Sequence, residues 1–510
     1  MKKLLIYLVV VFVLLCGCSD EQIATPDNTT PLSVMIYDRG DVPEGAGTIT
    51  DNVMTRWVAD NFGKPNNIDI SYVAVPRNDN EVIKVLMASG NVPDLIFSYG
   101  FGTMHNFYLM GNLLDITDYV ASSEKIREFV GEDILSVSKF DGRQVVIPAR
   151  RLISGRQAQL VRKDWLDKLG LGVPSNTDEF YNMLCQFKKY DPGNNGEKNI
   201  PYGISGNVAN FSDLMRSFMK IDFTDETEMN CGEMYGNSGY KEGVRFMNKL
   251  YNEGLLSPDF EYDYERKKVE SDIARGYVGF FCDDLGRPLM VDGVYDRLKE
   301  NVPGAELVAL DTWTTAEGDK YKCVYDNTAL YMGISSVCAY PENVIKYLEW
   351  MADVDVLRTL QYGFEGVTYE YNENGIPVTI DSEESKITHW YNLGFDLALI
   401  VNGKYSENED ELLDYNAWAT IDPDLYKECY RNSITDGWVK RNFSIGNDEV
   451  RLNNSVKREA LDKVFNIECI TCSPVEFDRL YDSALEQLNQ IGHQYLIERN
   501  REDYIARYNK

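Results

Sequence analysis

A handful of residues in this 510-residue chain have the chemistry to hold a polyhydroxylated molecule. Guanidinium groups and carboxylates bracket neighbouring hydroxyls, and an aromatic ring covers the apolar face between them. Candidates of the first kind are Arg151, with Arg150 and Arg156 close by, and Asp284 in the run Cys282-Asp283-Asp284-Leu285-Gly286. Glu365 is a third, because Gly363 and Gly366 leave room for close approach. Candidates of the second kind are Trp390 and Trp438, both in stretches without periodicity, where an indole needs something to cover it. Each has a plainer alternative: a surface arginine, a turn or helix cap, or packing between domains.

Other constellations are thinner. The loop starting at Asp191 carries Asp191, Asn195, Gly196 and Asn199 at calcium-loop positions 1, 5, 6 and 9. It departs at position 3 (Gly193) and position 12 (Tyr202), so a polar turn without metal is the preferred reading and no cofactor is expected. His105, His389 and His493 share no metal-ligand spacing, and no Gly-x-Ser-x-Gly, Walker or HExxH pattern occurs. A binding protein is therefore expected and not an enzyme. Carboxylate pairs are abundant, however, so a two-carboxylate glycosidase stays open until reducing-end release is assayed. Cys469-Ile470-Thr471-Cys472 has redox spacing without the strand-to-helix context that such motifs need.

These residues need elements to place them. Residues 32–37 form an expected strand, ending in the polar loop Asp38-Arg39-Gly40. Thr50 is the expected cap of a helix with Met54, Trp57, Val58 and Phe62 on its apolar face and Gly63 as its stop. Further strands are expected at 68–75 and 95–97, with a helix between them. This alternation predicts a parallel α/β unit, whose ligands gather outside the carboxyl ends of the strands. Asp38, Arg39, Ser98 and Tyr99 fall on that edge. Asp141-Gly142 predicts a hairpin turn between 137–140 and 144–147. Beyond it come a strand at 157–162, a helix capped by Ser175-Asn176-Thr177, a strand at 277–281 followed by the run that holds Asp284, a strand at 331–337 and a helix opened by Pro341. Trp57, Trp165 and Trp350 lie on apolar helix faces and are assigned to the core.

The N-terminus and composition bound the setting. Lys2 and Lys3 precede twelve apolar residues, 4–15, too few to span a ~30 Å hydrocarbon core and suited to a secretion signal. Residues 19–31 are polar and aperiodic, as a tether would be. The roughly 480 residues that follow exceed one hydrophobic core, so at least two lobes are expected. Acidic residues number 81 against 51 basic, for a net charge of −30, which disfavours nucleic acid and anionic membrane surfaces as partners. Aromatic residues make up 12%, including 33 tyrosines, which suits saccharide recognition outside the cell.

Several segments together resemble the extracellular solute-binding proteins of family 1, in their larger Gram-positive lipoprotein branch. They are NVPDLIF at 91–97, VIPAR at 146–150, RKDWLDKLGL at 162–171, TDEF at 177–180, YNEGLLSPDF at 251–260, GYVG at 276–279 and GFEGVTYEY at 363–371. The resemblance runs from about residue 33 to the C-terminus. The end of the signal, Leu15-Cys16-Gly17-Cys18, resembles a lipobox, which implies cleavage after residue 17 and a lipid on Cys18. What the resemblance implies for the fold is an α/β two-lobed periplasmic-binding-protein-like clamp with strands crossing between the lobes. Mapped here, lobe one covers 33–158 and 318–355, and lobe two 159–317 and 356–510, after a tether at 18–31. It further implies a monomer at the extracellular face of the cell membrane, handing an oligosaccharide-like ligand to ABC transporter permease subunits. A sensory co-receptor that reports ligand to a membrane kinase is the alternative.

Overall fold

The computed structural model describes residues 29–508, apart from 41, 43, 77–78, 223, 312, 315–320, 381, 385–396, 419 and 447. The signal, Cys18, most of the tether and Trp390 lie outside the described residues. Thr30 and Pro31, assigned above to the tether, are already the first residues of a strand.

Fourteen strands in the described residues are β1 (Thr30–Asp38), β2 (Ile68–Pro76), β3 (Leu95–Ser98), β4 (Val146–Arg151), β5 (Gln157–Arg162), β6 (Ile200–Gly203), β7 (Val278–Asp284), β8 (Leu307–Ala309), β9 (Cys323–Tyr325), β10 (Thr328–Ile334), β11 (Tyr369–Tyr371), β12 (Pro377–Thr379), β13 (Val401–Asn402) and β14 (Trp438–Lys440). A six-stranded sheet has the order β13-β4-β10-β3-β1-β2. In it β1 runs parallel to β2 and β3, as the alternation predicts, while β10 lies antiparallel between β3 and β4. A four-stranded sheet has the order β6-β7-β5-β8.

Each sheet carries its own core. The first gathers Val34, Ile36, Phe97, Ile147, Met332 and Leu348. The second sheet is covered on both sides: Val161, Trp165, Phe180 and Phe280 fall in one cluster, Ala158, Leu160, Val278 and Phe281 in another. The division into two lobes is therefore a division of hydrophobic burial. Its borders shift from those expected. Tyr321 and Cys323 pack in lobe two, so lobe one resumes near β10 and not at 318. Leu357, Leu360 and Leu397 to Val401 pack in lobe one, beyond the expected border at 355. The reason is local: β13 pairs with β4, and the Gln361 amide donates to Gly403 O at 2.8 Å and accepts from Tyr405 N at 2.9 Å.

Local chemistry departs from the sequence reading at three places. Asn52, not Thr50, caps the first helix, accepting from Met54 and Thr55 amides while Thr55 closes the capping box. Gly63 does not stop that helix, which continues through a π-turn to Asn66; a Cβ at Gly63 would come within 2.8 Å of Ile68 O. Asp141-Gly142 does make the turn, with both residues at positive φ, but residues 132–137 preceding it are helical and only Phe140 pairs with Arg143.

Two connections link the sheets through the same place. Residues 151–157 carry the chain from β4 into lobe two, and residues 325–328 return it from β9 to β10. They are hydrogen-bonded to each other, Arg151 N to Asn327 O at 2.8 Å and Tyr325 N to Ser154 O at 2.8 Å. Gly155 fits between them and lobe two because any Cβ there would press on Ser433, Leu285 and Tyr430.

Candidate ligand-binding site

The ends of β1, β3 and β4 converge on these crossing segments. Asp38 closes β1, is exposed, and accepts from Gly40 N at 2.9 Å. Arg39 lies over the Tyr37 ring at 6.0 Å, and Tyr37 stacks on Tyr99 at 6.3 Å and 13°. Tyr99, Tyr325, Tyr331 and Asp326 all bear on the Arg151 guanidinium, whose pKa burial pulls below the usual arginine value. That guanidinium sits 4.0 Å above the Tyr325 ring, and Arg156 shares the same ring at 5.5 Å.

Lobe two supplies the opposite side. Asp213 lies 3.7 Å from Arg156 and 3.2 Å from Arg216, and the three side chains are only 13–17% exposed. Arg156 also touches the Cys323 sulfur. Arg216 lies over Tyr321 at 5.8 Å, and Tyr321 meets Trp438 edge-to-face at 5.6 Å. The Trp438 indole N–H is buried with no hydrogen-bond partner among the described residues. Trp438 is held here because β14 runs parallel to β9, pairing Trp438 with Cys323 and Lys440 with Tyr325. Lys440 is exposed. Burial by the surrounding walls, then the Arg216 and Arg156 charges, push its ammonium below the usual lysine range. Solvent contact combined with crowding is what a side chain on a cleft wall experiences.

Of the residues singled out from sequence, the structure sets Arg39 and Tyr99 against the Tyr37 ring, Arg151 over Tyr325 and Trp438 against Tyr321, with Asp38 at the rim. Asp284 ends β7 opposite Gln157 and is exposed, one residue along from Arg156. Glu365 stands apart, in a turn whose backbone bonds to Tyr369 and whose charge bears on that phenol. Asp213, Arg216, Tyr321, Tyr325, Lys440 and Arg441 carry no sequence signal that would have picked them out, since they come as three pairs from three distant segments.

The loop at 191 is a helix C-terminal turn. Asp191 ends the helix Thr177–Tyr190 at φ 43°, and its carboxylate accepts from the Asn195 and Gly196 amides at 2.9 and 2.7 Å. Asn195 and Asn199 donate to Gly276 O and Phe187 O, and Tyr202 is buried against Phe280. Both Asp191 oxygens are thus taken by backbone amides and position 12 is a core ring, while Asn199 Oδ1 is buried without a partner among the described residues. All eight cysteines of the described residues are free, Cys469 and Cys472 included.

Set beside known proteins, the chain is 24% identical over 346 residues to the polygalacturonan/rhamnogalacturonan-binding protein YtcQ of Bacillus subtilis, spanning 63% of this chain and 64% of that one. It is 32% identical over 236 residues to the fructooligosaccharide ABC transporter substrate-binding protein FusA of Streptococcus pneumoniae, spanning 42% and 43%. The chain thus matches less than two thirds of the length of these relatives. No family model matches. Among solved structures, the alginate-binding protein AlgQ2, solved without calcium ion, superimposes with a TM-score of 0.69 at 18% identity over 94% of this chain and 99% of that one. FusA in complex with kestose gives 0.67 at 18% identity over 94% and 100%.

The fold is that of the two-lobed solute-binding proteins. In such a clamp the seam between lobes is where a small molecule is enclosed. In this solute-binding fold the assembly from Arg39 to Trp438 occupies that seam, on the segments that cross it.

Proposed function

We propose that the chain is an extracellular, lipid-anchored solute-binding protein that captures an oligosaccharide between its lobes and delivers it to an ABC importer. The observation that carries this reading is the run of rings and guanidinium groups from Tyr37 and Tyr99 through Arg151 and Tyr325 to Tyr321 and Trp438. Rings offer flat apolar faces and guanidinium groups offer paired donors, the two things a pyranose requires. Relatives named for binding polysaccharide fragments support it, and because those relatives are binding proteins, the role is capture and not catalysis. Cys18 is the anchor, and permease subunits are the partners of a monomer.

Two experiments test this. A thermal-shift screen over oligosaccharides should find at least one that raises the melting temperature progressively with concentration. Small-angle scattering at saturation with that ligand should show a smaller radius of gyration; an unchanged radius would overturn the clamp. Separately, Cys18→Ala should release the protein into the medium, and a variant that still fractionates with membranes would count against the lipid anchor.

A further inference from the structure

The charges around the crossing segments run opposite to those of the whole chain. Carboxylates outnumber cations 81 to 51 in the sequence. At the seam five cations, Arg151, Arg156, Arg216, Lys440 and Arg441, have only two carboxylates within ion-pair distance among the described residues. Asp213 serves both Arg156 and Arg216. Asp326 serves Arg441 at 3.2 Å and is further occupied by the Asn442 and Asn327 amides. Arg151 has no carboxylate within ion-pair distance among the described residues, although Asp326 bears on it from further off; its contacts are the Tyr325 ring and Thr328 O, the latter at 3.5 Å. Lys440 forms no ion pair either among the described residues, although it stands in the field of two arginines and of the shared Asp213. Asp284 at the end of β7 and Asp38 at the rim are both exposed, and neither pairs with these five cations among the described residues.

Like charges gathered in a partly enclosed space repel, and an arginine cannot shed its proton to relieve the strain. A protein with a surplus of carboxylates has left these cations short of partners at the seam proposed above to hold the ligand. We propose that the ligand is anionic: an oligosaccharide carrying carboxylate groups, of the uronate kind, with a carboxylate seated between Arg151 and Lys440 and the pyranose faces against Tyr325, Tyr99 and Trp438. This rests on the solute-binding reading above. A planar carboxylate matches the two parallel N–H donors of a guanidinium, and Arg151 has them to give. The ligand charge would complete a balance the protein leaves open.

The test compares three probes of equal length on the secreted, soluble Cys18→Ala protein by calorimetry: trigalacturonate, its methyl ester, and neutral galactotriose. The ester keeps the shape and removes the charge. Trigalacturonate should bind at least tenfold more tightly than either of the others, and its affinity should fall as salt rises. Arg151→Gln and Lys440→Gln should each weaken trigalacturonate about tenfold more than they weaken galactotriose. Lys440 is exposed, so its variant serves if Arg151→Gln fails to fold. Equal binding of acid and ester, or tighter binding of galactotriose, overturns the charge assignment and leaves the solute-binding function standing. If no probe binds, while the thermal-shift screen does find a neutral saccharide, the charge assignment alone falls. If neither experiment finds a saccharide, both readings fall together.

Discussion

The two lobes treat a buried cation differently. In lobe two, Arg216 is placed beside Asp213, under the Tyr321 ring. In lobe one, Lys404 is half-buried with no carboxylate within ion-pair distance among the described residues. Its ammonium donates to Gln361 O at 2.6 Å and lies over the Tyr362 ring at 4.1 Å, and burial pulls its pKa down to about 7. The difference is one of residue type. A lysine can meet desolvation by giving up its proton, whereas an arginine stays charged and must be supplied with a counter-charge. Where this fold commits arginines to an enclosed place, it therefore has to provide anions or leave room for one.

The sharpest test removes the supplied anion. Asp213→Asn leaves Arg156 and Arg216 enclosed together without a carboxylate, and unfolding stability should fall by about 3 kcal/mol, the order found when one partner of a buried pair is deleted. A denaturation midpoint equal to wild type would break the comparison. Next comes affinity across the seam. Trp438→Ala on lobe two and Tyr99→Ala on lobe one should each weaken ligand binding by roughly 1–3 kcal/mol, as truncating a buried aromatic anchor does at interfaces. If only one of them does so in calorimetry, the ligand rests on a single lobe. The smallest effect is expected at Lys404. Its folded pKa lies below its unfolded one, so the penalty is complete below about pH 7 and is relieved as pH climbs toward the unfolded value. Lys404→Met should thus gain about 1–2 kcal/mol at pH 6, after the lost hydrogen bond and ring contact are offset, and gain nothing near pH 10. Thermal melts of both proteins across that range would show the two curves converging; parallel curves would mean Lys404 is charged throughout.

What the sequence reveals of this molecule depends on how local the cause is. The strand at 157–162, the helix led by Asn176 and the parallel run of β1 to β3 are set by periodicity and by neighbouring caps, and they stand where those signals put them. Thr50 misled because Asn52 lies two residues on and has Thr55 to close its box. The site divides in the same way. Its lobe-one half is legible because ligand-facing residues follow directly on strand ends, as Arg39 and Tyr99 do. Its lobe-two half brings Trp438 beside Tyr321 through the three-residue pairing of β14 with β9, with Asp213 and Arg216 added from one short helix elsewhere in the chain. A ladder that short leaves no pattern in either strand. The border of lobe one was misplaced for a related reason: β13 has two residues, too few to show a period.

The last helix, His493–Tyr508, lies across the seam. At one end His493 meets Glu233 at 2.9 Å, and nearer the other Tyr504 meets Glu226 at 3.2 Å, both in lobe two. At the other, Arg507 donates to Val137 O and Lys139 O of lobe one at 2.9 and 2.8 Å and covers Phe101. Any change in the angle between the lobes must carry this helix along or break one of its two attachments. Its final turn is accordingly a built-in gauge, and an environment-sensitive dye placed there would report, molecule by molecule, how far the jaws stand apart.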